Sequence, residues 1–405
     1  MIFKDKKVAN AVYLGVLCSV AYLAVYFARN ILSVVTPQML EGGAYGEEYI
    51  GSLSSLFFGF YAVGQLINGL IGDRIKAKYM ISFGLLLAGV SNAVFLMIAE
   101  NGSFVASIAY GITGFFLSMI YAPMTKVVAE NTEPIYATRC SMGYTFASFF
   151  GSPVAGIVAA TVVWQGVFVT GSAILVAMAL SAFVFFTVFE RKGVVKYGQY
   201  KPSKQKGQGM GVLFGRYHIV KFTLISMITG VIRTTVVFWM PTYLSDYLEF
   251  TPDNAALIFT VATFVISLTT FIVIFIYERL GHNMDLTILI MFISSSAMFA
   301  LLYFVKLPLL NIILLVLAIM SSNGAATMLW SRYCPSLRDT GMVSSVTGFL
   351  DFVSYMSASL SSTLFANAVR GIGWGNLILV WCGLVLLGVI VALPYGKIFS
   401  REKNI

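Results

Sequence analysis

Charge is scarce in this chain. Asp, Glu, Lys and Arg make up 11% of its 405 residues, only 17 are acidic, and 59% of the chain is hydrophobic. So little polar surface cannot clothe a water-soluble particle of this size, which excludes a cytosolic globular protein, and the apolar content excludes a disordered one. The solvent for most of the chain is lipid. Cysteine and histidine are equally sparse. Cys18, Cys140, Cys334 and Cys382 lie in or beside apolar runs without CxxC spacing, so neither a disulfide framework nor a zinc site is expected. His218 and His282 stand 64 positions apart, and no metal is expected. With no nucleophile–base constellation and no cofactor motif, the chain does not read as an enzyme. The net charge of +9 is spread thinly between long apolar runs, the pattern of membrane-protein loops and not of nucleic-acid binding.

Those runs are long enough for helices across a bilayer of about 30 Å, which takes roughly 20 residues each. Twelve are expected, near 10–37, 50–72, 79–99, 103–126, 138–163, 166–189, 218–245, 254–277, 286–305, 308–330, 341–367 and 374–396. The opening MIFKDKK precedes an apolar run too long for a cleaved signal, so the first helix is expected to stay. Of 26 Lys and Arg residues, Lys306 and Arg370 alone fall in loops of one side, while Arg29 and Arg233 lie inside helices. The remaining 22 mark the opposite face as cytoplasmic, with both termini on it.

The basic, Gly- and Gln-rich stretch 190–217 divides the helices six and six, giving halves at 1–189 and 218–405. The halves echo one another. Arg29 and Arg233 are 204 apart, Asp73-Arg74 and Glu278-Arg279 are 205 apart, and Lys126 and Arg332 are 206 apart.

An arginine at the centre of a membrane helix costs about 2.5–3.5 kcal/mol on insertion scales, so it should face a wet cavity or a counter-charge. Arg29 and Arg233 each stand eight residues before a proline, Pro37 and Pro241, and this matching depth suggests two guanidiniums facing each other across the half-domain interface. Two five-donor forks converging there would receive an oxyanion such as phosphate. The alternative is that each neutralises a buried carboxylate, for which Asp351, the one acidic residue deep in a helix, serves at most one of them. Tyr22 and Tyr26 precede Arg29 by seven and three residues, near its helix face, and are candidates for the same cavity, as are Tyr61 and Gln65 one turn later. Gly64, Gly111, Gly114, Gly151 and Ala155 are expected to allow close helix packing.

The loop Gly69-Leu70-Ile71-Gly72-Asp73-Arg74-Ile75-Lys76-Ala77-Lys78 resembles the G-x-L-A-D-R-x-G-R-K signature of the major facilitator superfamily, agreeing at Gly69, Asp73, Arg74 and Lys78. The resemblance implies a fold of twelve helices in two pseudo-symmetric halves, with Asp73, Arg74 and Lys78, and Glu278 and Arg279 in the second half, as a conformational latch. A narrower resemblance follows: Arg233, Trp239, Pro241, Thr242, Tyr243 and Leu244 spell R-x5-W-x-P-T-Y-L, similar to the seventh helix of the organophosphate:phosphate antiporters. Tyr22, Tyr26, Arg29, Pro37 and Tyr61 fall at that family's spacing. Against the family's glycerol-phosphate branch, Asn30 and Gln65 stand where lysines do, and Phe146 where there is a histidine. Asp351 replaces a small residue, and Phe352 a tyrosine.

The resemblance implies a secondary transporter of a sugar or polyol phosphate, exchanged for inorganic phosphate or coupled to protons, and monomeric in the cytoplasmic membrane. A transporter-like sugar-phosphate sensor signalling to a histidine kinase, or a symporter for carboxylates or acidic sugars, remain alternatives. Asp351 has three possible roles: static partner of an arginine, protonatable coupling site, or substrate contact.

Overall fold

The computed structural model describes residues 6–41, 45, 47–99, 104–200, 208–250 and 252–393, and among them all regular structure is helical. The chain termini, residues 201–207 of the expected linker and the side chain of Pro37 lie outside the described residues.

Among the described residues, eleven helices are long and apolar enough to cross a membrane. They are α1 (Lys6–Thr36), α2 (Ser52–Gly72), α3 (Ala77–Ile98), α4 (Phe104–Asn131), α5 (Pro134–Ala159), α6 (Trp164–Arg191), α7 (Ile219–Val236), α8 (Leu257–Arg279), α9 (Met284–Phe304), α10 (Pro308–Thr340) and α12 (Gly371–Ala392). The remaining expected crossing, α11 (343–370), is the first limb of a helix spanning Val343–Ala392 that breaks at Gly373, φ 74°. A positive φ of that size is one a glycine adopts without steric cost. Helix starts follow local chemistry. Pro134 and Pro308 sit in the first turn, where a missing N–H costs nothing, and the Asn283 side chain accepts the Leu286 N–H at 3.1 Å to cap α9. The expected end of the tenth helix near 330 comes ten residues early, because the chain continues through a π turn at Leu329–Tyr333 and a final 3-10 turn before Gly341.

The chain packs as two compact units, residues 1–212 with 334–352, and residues 213–333 with 353–405. In the first unit α1 lies against α5 and α6, α2 against α4, and α3 between α4 and α6. Small residues set these distances: a Cβ on Gly64 would stand 2.3 Å from Ser118 Oγ, and one on Gly114 would stand 2.4 Å from the Phe57 carbonyl oxygen. Polar side chains bridge helices where lipid offers no alternative. Asn68 donates to Ser118 Oγ at 2.8 Å, and Asn92 to Ser172 Oγ at 3.0 Å. In the second unit α10 packs on α7, α8 and α9, and Tyr243, on the helix continuing α7, donates to Asn311 Oδ1 at 2.6 Å. Outward-facing residues such as Phe104 and Phe304 are 70% and 78% exposed, as suits helices surrounded by lipid.

The start of α11 belongs to the first unit and touches α2 backbone to backbone. A Cβ on Gly348 would stand 2.2 Å from the Gln65 carbonyl oxygen and 2.7 Å from Gly69 Cα. Gly348→Ala should therefore lower the unfolding midpoint of the purified protein, an overpacking cost of about 1–3 kcal/mol. Gly59→Ala, where a Cβ meets nothing within 4 Å, should leave the midpoint unchanged or raise it. Equal midpoints for the two variants would show that the α2–α11 contact does not contribute to stability.

Candidate functional site

Tyr22, Tyr26 and Arg29 lie on one face of α1, as their spacing requires. The Arg29 guanidinium is half-buried among three rings, 4.9 Å from the Tyr61 centroid, 5.1 Å from Tyr26 and 5.2 Å from Phe58. It also donates a long bond to Tyr26 Oη at 3.5 Å. Ring faces attract a cation by about 0.5–2 kcal/mol each when desolvated, which offsets burial without cancelling the positive charge. Phe58 was not among the sequence candidates; it stands three residues before Tyr61, a spacing that in hindsight marks the same helix face.

Behind Arg29 a tyrosine cluster extends inward. The Tyr22 ring is 5.0 Å from Tyr26, 5.3 Å from Tyr121 and 5.9 Å from Tyr144. Tyr144 Oη shares a hydrogen bond with Ser141 Oγ at 2.6 Å and another with Thr125 Oγ1 at 3.3 Å. Tyr121 and Tyr144, from α4 and α5, carried no signal in the sequence, since nothing in local spacing tells a cavity tyrosine from a packing one. Asp351 is 6% exposed. Gln65 is fully buried, and neither its Nε2 nor its Oε1 has a hydrogen-bond partner among the described residues. A buried amide with both ends unsatisfied costs several kcal/mol in an apolar medium unless water or a ligand meets it.

In the second unit Arg233 sits in a π-helical stretch, Val231–Val236, that interrupts α7. Such widened turns recur at functional positions because they re-aim one side chain within a helix. The guanidinium lies 6.0 Å from the ring of Tyr355. On either side α7 is held tightly against α11. A Cβ on Gly230 would fall 2.6 Å from the Ser354 carbonyl oxygen, and Thr235 donates to the Ala358 carbonyl at 2.9 Å. The sequence located Arg233 but not the π turn, which has no recognised local signature.

The loop after α2 contains a second polar assembly. Asp73 accepts the backbone N–H of Ser344 at 2.9 Å and of Ser345 at 2.8 Å. Both are first-turn amides of α11, which have no partner inside the helix and sit at the positive end of its dipole. Burial pushes the Asp73 carboxyl above the usual carboxylate range, opposed by the Ser345 and Ser344 bonds and by Lys126. Lys126 Nζ is 3.7 Å from Asp73 Oδ1 and donates to the carbonyls of Asp73 at 2.8 Å and Gly72 at 3.2 Å. Lys78 pairs with Glu190 at the end of α6, as does Lys76 at 2.8 Å. Arg74 is exposed beside them. In the second unit Glu278 and Arg279 are also exposed, with Arg279 4.9 Å from the Phe275 ring. The first part of the expected linker docks on the first unit, where the Lys196 N–H and Gln199 Nε2 donate to Asn131 Oδ1 at 2.6 and 3.1 Å.

Residues 18–362 match the family described as the Major Facilitator Superfamily. Among curated relatives, the membrane sensor protein UhpC of Escherichia coli is 32% identical over 74 residues, 18% of this chain and 17% of the sensor's own length. The phosphoglycerate transporter protein of Salmonella typhimurium is 22% identical over 95% of this chain and 88% of its own. In fold, the chain resembles the crystal structure of the transporter FucP in the outward conformation, with a TM-score of 0.76 and 15% identity over 95% of this chain and 98% of that one.

Asp73→Asn puts an amide group against one of the two N–H donors. Hydrogen exchange at Ser344 and Ser345 should accelerate on the order of tenfold, the worth of one bond to a charged acceptor, with exchange in α3 and α6 unchanged. Unaltered exchange at both serines would show that the carboxylate does not hold the start of α11.

Proposed function

The chain belongs to the major facilitator superfamily, and on that premise we propose that it is a secondary carrier of a sugar or polyol phosphate, exchanged for inorganic phosphate or moved with protons. The observation that carries this reading is the setting of Arg29: a half-buried guanidinium within a membrane helix, wrapped by three ring faces that lower the cost of burial without cancelling its positive charge. The long alignment with a phosphoglycerate transporter supports a phosphate ester as the cargo. In this reading one phosphoryl group, carrying about −1.5 to −2 charges near neutral pH, is bound by both Arg29 and Arg233. Tyr22, Tyr26, Tyr61 and Gln65 supply the remaining polar contacts. Substrate drives the cycle because two empty guanidiniums repel and an occupied pair does not, so the ligand binds the occluded arrangement best.

The moving parts are the sequence halves, 1–189 and 218–405, joined by 190–217. The Asp73 contact to the start of α11 is the latch that breaks and reforms as they rock. The Lys and Arg distribution supports a cytoplasmic membrane location with both termini in the cytoplasm. The local match to a membrane sensor favours one second reading, a receptor for the same ligand class. A receptor would bind the phosphate ester yet fail to exchange it in liposomes.

Replacing Arg29 or Arg233 by Lys keeps the charge but loses the fork. Phosphate exchange by either folded variant in proteoliposomes should fall by at least roughly tenfold, and wild-type exchange would refute the paired clamp. Asp351 separates coupling from structure. If it carries the coupling proton, Asp351→Asn should abolish proton-driven accumulation and retain exchange. Equal loss of both would make it a static partner, and an altered substrate ranking would make it a contact.

A further inference from the structure

The groove between α1 and α6 belongs neither to the Arg29 cluster nor to the Asp73 contact. It is a cavity of about 980 Å³ whose walls are mostly apolar, with Val12, Val16 and Val20 of α1 opposite Phe185 and Val188 of α6. Val16 and Phe185 are 56% and 51% exposed. Ser181, midway along the groove, spends its hydroxyl on the Ala177 carbonyl of its own helix, and the charge lies at one end. Lys6 opens α1 and Lys192 follows the last residue of α6, and both line the cavity. Since one helix starts where the other stops, the two ammonium groups stand at the same membrane face. Neither makes an ion pair among the described residues, whereas Lys7 pairs with Glu133 at 2.8 Å, and Lys76 and Lys78 with Glu190.

The dimensions match one leaflet. From Lys6 to Val20 the helix rises about 21 Å at roughly 1.5 Å per residue, and half of a hydrocarbon core of about 30 Å is about 15 Å. The groove thus runs from the headgroup layer to near the midplane, charged at the surface and apolar below. We propose that it is a binding site for an anionic phospholipid, one acyl chain lying along the α1–α6 seam and the headgroup phosphate held by Lys6 and Lys192. A neutral lipid would fill the seam equally well, so the two lysines are what select the anionic headgroup. A free phosphate ion would gain nothing from the apolar walls. If the Lys and Arg distribution gives the orientation, this is the cytoplasmic leaflet, whose anionic lipids attract basic side chains near its surface.

The test compares retention of phosphatidylglycerol and phosphatidylcholine by the detergent-purified full-length protein in native mass spectrometry. Wild-type protein should retain phosphatidylglycerol in preference by on the order of tenfold. The double variant Lys6→Gln with Lys192→Gln should lose that preference and keep phosphatidylcholine binding. Lys6→Arg with Lys192→Arg should keep the preference, and Val16→Trp, which fills the groove, should reduce retention of both lipids. Equal retention of the two lipids by the wild type, or an unchanged preference in the Gln variant, would overturn the site. Displacement of phosphatidylglycerol by millimolar inorganic phosphate would reassign the lysines to a free anion. Should the Gln variant not fold, undiminished lipid retention by Val16→Trp would overturn the proposal instead.

Discussion

An arginine midway along a membrane helix must be wrapped before the helix can be stable, and the way Arg29 is wrapped shapes the first unit. Three ring faces within about 5.2 Å take up the guanidinium. They come from two helices, so α1 and α2 must meet at this depth with Tyr26, Phe58 and Tyr61 turned inward. The tyrosine cluster behind them extends the requirement to α4 and α5. A ring quadrupole lowers the cost of burial without cancelling the charge, so the packing that makes Arg29 tolerable leaves it cationic, as the proposed anion site requires.

The contact between α2 and the start of α11 obeys a related rule, that backbone groups cut off from water need partners of their own. First-turn amides of α11 meet the Asp73 carboxylate, and the glycines at 69 and 348 let the two backbones come close enough for that meeting. Lys126 ties the loop carrying Asp73 to α4 through two carbonyls. The Tyr61 ring and the Gln65 side chain lie on the same helix that ends in this contact, so α2 joins the Arg29 cluster to the start of α11.

The sequence was most informative where chemistry repeats at helical spacing. Tyr26, Arg29 and Tyr61 come together because a three-residue step on α1 and a matching depth on α2 leave few other arrangements. Eleven of the twelve expected crossings appear among the described residues as long apolar helices, and the other expected crossing is the first limb of the helix that breaks at Gly373. What could not be read depends on contacts distant along the chain: Tyr121 and Tyr144 joining Tyr22, and Ser344 and Ser345 as the partners of Asp73 some 270 positions away. The π turn at Arg233 and the extension of α10 past residue 330 also escaped, because helix propensity does not distinguish a widened turn from a regular one. The stretch after α6 read as a linker from its composition, which carried no sign that Lys196 and Gln199 would donate to Asn131.

The central claim, that the two half-buried arginines serve a phosphoryl group, is tested most directly by a substrate panel. Proteoliposomes loaded with labelled inorganic phosphate would be diluted into buffers containing sugar phosphates, polyol phosphates, the corresponding unphosphorylated sugars, and carboxylates of similar size. The account predicts phosphate efflux driven by one or more phosphate esters and by none of the neutral sugars or carboxylates. Efflux driven by carboxylates as strongly as by phosphate esters would contradict it.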